Sequence, residues 1–286
     1  MAGIFIRESD YMRRVAMNGN LEALKIARLK YNCIWNTSVC SGATLNGHLE
    51  VLKWAREDGC PWNTSTCANA ALNGHFEVLK WAYENGCPWN TTTCANAALG
   101  GHLEILQWAR ENGCPWNSMV YANAARRGHV HILNWAFEHQ CPMGANVGLE
   151  AVLGGKYEAF IWSAKGKHGI HLVYLTDVIK GGSIDILKYY IRNYAQPKDF
   201  NESILSDLIR QGRTDMLRVI IEHYPSVKFA PEYLNPQKYY QDFEWILKTC
   251  NIVATTEQIK WLSSITQGLI QTIGVPDLCY VIKTYI

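Results

Sequence analysis

Cysteine and histidine are the residues of this sequence whose side chains could bind a metal ion or act as nucleophiles. The chain has 286 residues, with 10 Cys and 9 His. A zinc site needs four ligands around one point, usually from paired short spacings such as Cys-x-x-Cys. No such pair occurs here, because even neighbouring cysteines such as Cys60 and Cys67 are separated by six residues. The spacing therefore predicts no metal site and no cofactor.

The cysteines instead recur at a constant interval of 27 residues. One column contains Cys33, Cys60, Cys87, Cys114 and Cys141, and another contains Cys40, Cys67 and Cys94. Equivalent positions on packed helices lie about 8 to 10 Å apart. That distance exceeds the roughly 7 Å that the Cα atoms of a disulfide can span. We therefore expect free thiols that pack as small apolar side chains.

Histidine follows a glycine in four successive copies of this interval, at His48, His75, His102 and His129. A nucleophilic Cys/His pair is normally unique in an enzyme, because one activated nucleophile needs one base. A pair that occurs four times is typical of a structural position. The pattern therefore predicts a chain that is not an enzyme.

Tryptophan and glycine follow the same interval and define a repeat array. Nine of the 11 Trp lie in two columns. The first column contains Trp35, Trp62, Trp89 and Trp116, and the second contains Trp54, Trp81, Trp108, Trp135 and Trp162. A glycine column runs from Gly47 to Gly182, and a further copy fits at residues 18–22. We predict regular repeats over residues 1–196. Weaker copies over residues 197–286 complete and cap the same solenoid, giving about ten units.

Each unit has the pattern of a helix pair. In residues 63–90, Asn63 is an N-cap type and small apolar residues follow to Leu72, where Asn73-Gly74 ends the first helix, called helix A. Residues 76–84 form the second, helix B, and Pro88 cannot continue it. One pair cannot bury its own apolar faces, so stability must come from stacking. The fold class is predicted to be all-α.

These motifs resemble the ankyrin repeat. Residues 67–80, Cys-Ala-Asn-Ala-Ala-Leu-Asn-Gly-His-Phe-Glu-Val-Leu-Lys, and Glu84-Asn85-Gly86 are similar to its paired alanines, Gly-His-x-Glu-Val-Val and Asn-Gly-Ala-Asp segments. The family's unit is about 33 residues, and the missing residues fall where it forms β-hairpin fingers, so the fingers should be reduced or absent. The family's Thr-Pro-Leu-His start is missing. The short Trp-rich unit is similar to ankyrin arrays of protists and of large DNA viruses that infect amoebae and algae.

The resemblance implies a function in protein recognition. It implies a protein partner, with a viral protein that engages a host factor as the further expectation. It also implies that the repeated histidines serve the turn and the start of helix B, and that Trp81 and Trp89 occupy positions of buried residues. Trp columns could instead be stacking platforms for single-stranded nucleic acid, but core packing is the favoured interpretation.

Charge and hydropathy favour no further partner class. The formal net charge is +2, which gives no general attraction to nucleic acid or anionic membranes. About 18 consecutive apolar residues are needed to span a membrane, and the sequence has no such run. We expect no nucleic-acid partner, no membrane partner and a monomer. Cytoplasmic location is expected, in the host cytoplasm or the virion if the protein is viral.

Variation among the copies indicates the surface that binds a partner. In ankyrin proteins the two residues after the paired alanines commonly line the binding face, and here they are Leu45, Asn46, Leu72, Asn73, Leu99, Gly100, Arg126 and Arg127. The residue two after the helix B Trp varies too, as Arg56, Tyr83, Arg110 and Phe137. Mixtures of aromatic residues and Arg are typical of interface anchors. We predict both sets as partner-binding residues and favour the helix A side.

Three alternatives remain open at this point. Arg126 and Arg127, with Lys165, Lys167 and His168, could form a patch for an acidic partner, although a solvated face is the simpler interpretation. The chain could be a structural or virion-associated protein. It could also be a substrate adaptor of a ubiquitin ligase, since residues 275–286 faintly resemble the start of an F-box; a helix B that caps the solenoid explains them better.

Overall fold

A computed structural model describes residues 2–165, 173–225 and 227 of the chain. These residues contain sixteen α-helices, a short 3-10 helix and no strand. The chain divides into two compact units, residues 1–172 and 173–286. The all-α, helix-pair architecture predicted from the 27-residue interval is confirmed, and the described part contains no β-hairpin fingers.

Eight successive helix pairs build the described part of the chain. In the first unit these are α1 (Ala2–Met17), α2 (Leu21–Leu29), α3 (Thr37–Leu45), α4 (Leu49–Glu57), α5 (Thr64–Leu72), α6 (Phe76–Glu84), α7 (Thr91–Gly100), α8 (Leu103–Glu111), α9 (Met119–Arg127), α10 (Val130–Glu138), α11 (Val147–Leu153) and α12 (Tyr157–Lys165). The second unit contains α13 (Leu175–Gly181), α14 (Ile184–Asn193), the 3-10 helix Pro197–Asp199, α15 (Glu202–Gln211) and α16 (Thr214–His223). Odd-numbered helices are helix A and even-numbered helices are helix B.

Asparagine sets the start of each regular helix A. The side chain of Asn63 accepts a hydrogen bond from the amide of Ser65 at 3.0 Å, and Asn90 caps α7 through Thr92 in the same way at 3.0 Å. This satisfies amide donors that have no partner inside the helix. Glycine ends the helices: Gly74 has φ +78°, a conformation that residues with a side chain rarely adopt. The capping and stop signals read from the sequence are thus confirmed.

Small residues let the A helices pack closely on one another. In α5 and α7 the side chains of Cys67, Ala71, Cys94 and Ala98 are completely buried. Helices α2, α4, α6, α8 and α10 each add one fully buried leucine to a column, which contains Leu24, Leu52, Leu79, Leu106 and Leu133. Within the first unit, the A helices therefore form one layer and the B helices the other, with the leucine column at the core between them.

The cysteines are free thiols, as predicted. Every cysteine in the described residues is unbridged, and all but Cys33 are buried. The sequence did not predict that thiols 20 positions apart meet within one repeat. Cys67 bonds the backbone carbonyl of Cys87 at a sulfur–oxygen distance of 3.9 Å, and the hydrogen bond between the two thiols, together with burial, raises the pKa of Cys67. The same hydrogen bond lowers the pKa of Cys87, so Cys67 is the protonated donor of the pair and packs as a small apolar side chain.

The tryptophans are less buried than the family resemblance implied. All nine Trp of the two columns are half-buried, and the leucine column occupies the core instead. Within each regular repeat the two Trp meet edge to face, as Trp62 and Trp81 do with ring centroids 6.1 Å apart. The expectation of buried core tryptophans is therefore wrong in degree, because these rings form the outer wall on the helix B side.

The second unit uses the same construction with different residues. Arg213 follows Gly212 as the histidines follow their glycines, and its Nη2 donates to the carbonyl of Gly182 at 2.7 Å. Tyr224 bonds the carbonyl of Ala195 at 2.8 Å. The predicted boundary at residue 196 stays a prediction. The copies predicted at residues 242–247 and 274–282, and Lys167 and His168 of the basic patch, lie outside the described residues.

Candidate functional site

The predicted residues on helix A come together in one row. They lie at the C-terminal turns of α3, α5, α7 and α9, which pack side by side. The leucines are half-buried, whereas Asn46, Asn73, Arg126 and Arg127 are exposed. We call Leu45, Asn46, Leu72, Asn73, Leu99, Gly100, Arg126 and Arg127 the helix A row. It presents a continuous strip, and its role in binding a partner stays a prediction.

Two sets of hydrogen bonds fix the spacing along this row. The side-chain amides of Asn69, Asn96 and Asn123 donate to the carbonyls of Ser41, Ala68 and Ala95 in the preceding helix A, at 3.1, 3.1 and 2.8 Å. The ring nitrogens Nε2 of His48, His75, His102 and His129 meet the carbonyls of Met17, Leu45, Leu72 and Leu99 at 2.9, 3.2, 3.2 and 3.3 Å. Both sets tie each repeat to the one before it.

The histidines therefore act between repeats. None of the four caps its own helix B with its side chain, which differs from the role implied by the resemblance. Each ring covers the turn glycine of the preceding repeat: a Cβ on Gly74 would lie 2.6 Å from Cε1 of His102. Burial lowers the pKa of His129 below its usual value of 6.5. Burial thus favours the neutral ring, whereas the hydrogen bond to the Leu99 carbonyl, which the protonated ring can also donate, acts in the opposite direction.

A groove of about 670 Å³ opens where the row reaches α9 and α11. Its apolar part includes Leu99, Ala122 and Met119, whose side chain is 53% exposed. Its polar lining is Asn123, Arg126, Arg127, Glu150 and Lys156. Arg126 Nε and Glu150 Oε2 form an ion pair at 2.6 Å, while Arg127 and Lys156 extend into solvent. The groove thus combines an apolar surface with three cations and one carboxylate.

Several repeat columns change together at this junction. Lys156 stands where the 27-residue interval would place the histidine that follows His129. Glu150 stands where it would place the asparagine that follows Asn123, and Met119 stands where the earlier repeats have Ser or Thr. A carboxylate cannot donate the bond that asparagine donates, so Glu150 accepts from Arg126 instead. Sequence reasoning selected Arg126 and Arg127 but missed Met119, Glu150 and Lys156. The coincident breaks in three columns were the available signal.

The second predicted set lies on the helix B side, away from the row. The Arg56 guanidinium carbon lies 3.9 Å from the centroid of the Trp62 ring, and Arg110 covers Trp116 at 4.3 Å. Tyr83 stacks on Trp89 with centroids 4.0 Å apart. Phe137 is 50% exposed and contacts Trp162 edge to face. These residues pack against the aromatic wall, which is the surface that the Trp of the two columns form on the helix B side. Their predicted role in binding a partner stays a prediction.

The described residues contain no group of three or more metal-ligand side chains. None of their helices is long and apolar enough to cross a bilayer. The geometry of the first unit is thus an exposed row with a mixed groove at one junction.

Comparison with known proteins adds a family match over part of the chain. Residues 67–110 match the family profile described as Ankyrin repeats (many copies). The helix pairs α5–α8 fit that match. Ankyrin repeats are in general binding modules without catalytic activity. No curated protein matches the chain.

Solved structures of helical-repeat proteins are similar in architecture. One is the pentatricopeptide repeat protein PPR10 in complex with an 18-nt psaJ RNA element, at 11% identity and a TM-score of 0.37, with 95% of this chain and 44% of that chain covered. Another is PPR10 from maize, at 12% identity and a TM-score of 0.36, with 91% of this chain and 38% of that chain covered. This chain thus spans less than half the length of either. Such a likeness concerns the helical-repeat architecture alone.

One prediction about partners needs correction. We expected no nucleic-acid partner, because the net charge is close to zero. That exclusion does not stand. Two of the similar structures are of PPR10 with an 18-nt RNA element bound, which is a property of PPR10. Net charge describes the whole chain and says nothing about a local surface.

Proposed function

We propose that this chain is a non-enzymatic recognition module that binds a partner protein through the helix A row and the groove beside it. The groove is the observation that supports this proposal, because apolar and charged side chains are exposed there together. Interfaces typically combine an apolar centre with a polar rim. The rigid stack of hydrogen-bonded A helices supports this function, because a preorganised surface loses little conformational entropy on binding.

The kind of partner is a further part of the proposal. The short, Trp-rich unit resembles arrays of large DNA viruses, and on that resemblance the partner is a host regulatory protein bound in the host cytoplasm. Unbridged thiols fit a reducing compartment. A virion-associated role would instead place the protein in assembled particles. A ubiquitin-ligase adaptor would need residues 275–286, which lie outside the described residues.

Affinity purification tests the proposal directly. The tagged protein is compared with a variant that carries Leu72→Glu, Asn73→Arg, Arg126→Glu and Arg127→Glu. All four positions are half-buried or exposed, so circular dichroism should show an unchanged helical spectrum. We expect the variant to lose one dominant protein partner that the wild-type chain retains.

A matched variant separates the row from the aromatic wall. Lys53→Glu with Lys80→Glu changes charge on the helix B side and should keep the partner. Equal recovery of every partner by the row variant would show that this face does not bind. Recovery of assembled particles would favour the virion role, and recovery of ligase subunits would favour the adaptor.

A further inference from the structure

The chemistry of the groove is unlike that of the rest of the helix A row. Helices α3, α5 and α7 contain no charged residue at all. At α9 the row gains Arg126 and Arg127, and Lys156 adds a third cation. Among the A helices from α3 to α9, charge is thus concentrated at α9, beside α11.

The positive charge there is only partly compensated. Among the described residues that line the groove, Glu150 is the one carboxylate, and it is committed to Arg126 at 2.6 Å. The Glu150 side chain is 21% exposed, whereas that of Arg126 is 53% exposed. The carboxylate therefore sits at the base of the groove and holds Arg126 in place, while Arg127 and Lys156 face solvent at its margin.

Close backbone packing fixes the shape of this site. A Cβ on Gly154 would lie 2.0 Å from the carbonyl oxygen of Arg126, so α11 approaches α9 at a distance that only glycine allows. The stem of Lys156 lies along Gly128, since a Cβ there would be 3.2 Å from its Cδ. The cations are thus placed by packed backbone and not by a free loop. The exposed Met119 side chain supplies a flexible apolar contact beside them.

From this arrangement we propose that the groove binds an acidic, extended segment of the partner protein, with carboxylates on Arg127 and Lys156 and an aliphatic side chain against Met119 and Leu99. The inference rests on the proposed function and names the class of segment recognised. Carboxylate is favoured because arginine and lysine bind it through charge-assisted hydrogen bonds. A segment with alternating acidic and apolar residues satisfies both parts of the groove.

Charge distribution favours a peptide over a nucleic acid at this site. Single-stranded nucleic acids are held by cations that follow the backbone over several nucleotides, with aromatic rings for the bases. Here the groove offers only Arg126, Arg127 and Lys156, helices α3, α5 and α7 add no cation, and the aromatic rings lie on the helix B side. A short acidic segment needs only the two or three cations that the groove offers.

Fluorescence anisotropy with the purified full chain tests this inference. The probe is a fluorescein-labelled peptide of repeating Glu-Glu-Leu triplets. Arg127→Glu with Lys156→Glu should weaken its binding by about tenfold or more, because like charges replace the attractive pair. Lys53→Glu with Lys80→Glu makes the same charge change on helix B and should leave the affinity within about twofold of wild type.

A second substitution tests the apolar contact without changing charge. Met119→Gln keeps the length of the side chain and its exposure, and it should weaken binding of the Glu-Glu-Leu peptide but not that of a Glu-Glu-Ser peptide. Equal effects of the groove and control variants would overturn the inference, as would absence of measurable binding. Tighter, groove-dependent binding of an oligothymidine probe would overturn it in favour of nucleic acid.

The outcomes also separate this inference from the proposed function. If the row variant loses its cellular partner but Arg127→Glu with Lys156→Glu retains it, the row is the binding surface and the groove assignment fails. If the row variant retains every partner, the proposed function itself fails.

Discussion

The leucine column allows a quantitative test of the solenoid. Leu106 is 0% exposed, and its equivalents Leu79 and Leu133 are also 0% exposed. The side chains of the neighbouring repeats therefore have little room to move into a cavity at this position. Leu106→Ala removes three buried carbon groups, worth about 2.4 kcal/mol of transfer free energy. The cavity adds a further penalty, and Leu→Ala changes in cores cost about 2.7 to 5 kcal/mol in total. We expect Leu106→Ala to lower the free energy of unfolding by about 3 to 4 kcal/mol.

Leu103 on the same helix is the matched control. It is half-buried, so Leu103→Ala loses part of the transfer free energy and creates no enclosed cavity. Its expected cost is about 1 kcal/mol. Urea unfolding followed by circular dichroism measures both values, and native-state hydrogen exchange locates the loss. In a nearly one-dimensional array the lost protection should centre on α7 to α10.

Two results would refute this reasoning. Equal costs for Leu106→Ala and Leu103→Ala would show that the column does not form the core. A uniform loss of protection across the first unit would show that the repeats unfold as one body and not through nearest-neighbour interfaces.

Three further predictions concern the bonds between repeats. Because burial lowers the pKa of His129, the unfolded chain binds this proton more tightly, so stability should fall as pH drops below about 6.5; His129→Gln should reduce that slope in urea titrations. Hydrogen bonds from Arg28 and Trp35 lower the pKa of Asp58 below 3.8, so its contribution is present above that pH and lost as pH falls through the lower folded value; Asp58→Asn should flatten the acid limb of an unfolding curve. Asn96→Asp keeps the shape but removes the donor to Ala68, and it should cost about 1 to 2 kcal/mol by thermal or urea unfolding; an unchanged midpoint would show that this bond contributes nothing.

Periodicity predicted the helix pairs well because every local signal agrees with it. Asn63 caps, Gly74 ends a helix and Pro88 separates units, and each acts through backbone geometry within a few residues. Such signals are legible in one sequence. The burial of tryptophan was harder to predict, because the leucine column competes for the same core space and this depends on the width of the gap between layers.

The candidate site was predicted only in part for a related reason. Arg126 and Arg127 stand out as changes within an aligned column. The roles of Glu150 and Lys156 depend on which atoms lie 24 to 30 residues away, which follows from the stacking geometry and not from local pattern. The role of His102 was similarly misplaced, because its acceptor is Leu72 O, 30 residues earlier at 3.2 Å.

The hydrogen bonds between repeats allow whole repeats to be removed from the chain or added to it. Each asparagine or histidine reaches only the preceding repeat. Removal of residues 64–90 would join Asn63 to Thr91, leave an N-cap in place and set His102 opposite the carbonyl of Leu45, the acceptor that His75 now uses. Whole units can therefore be lost or duplicated without inventing a new interface. Gain or loss of regular repeats would change the length of the helix A row. It would not change the groove, because the groove is formed by the irregular junction of α9 and α11.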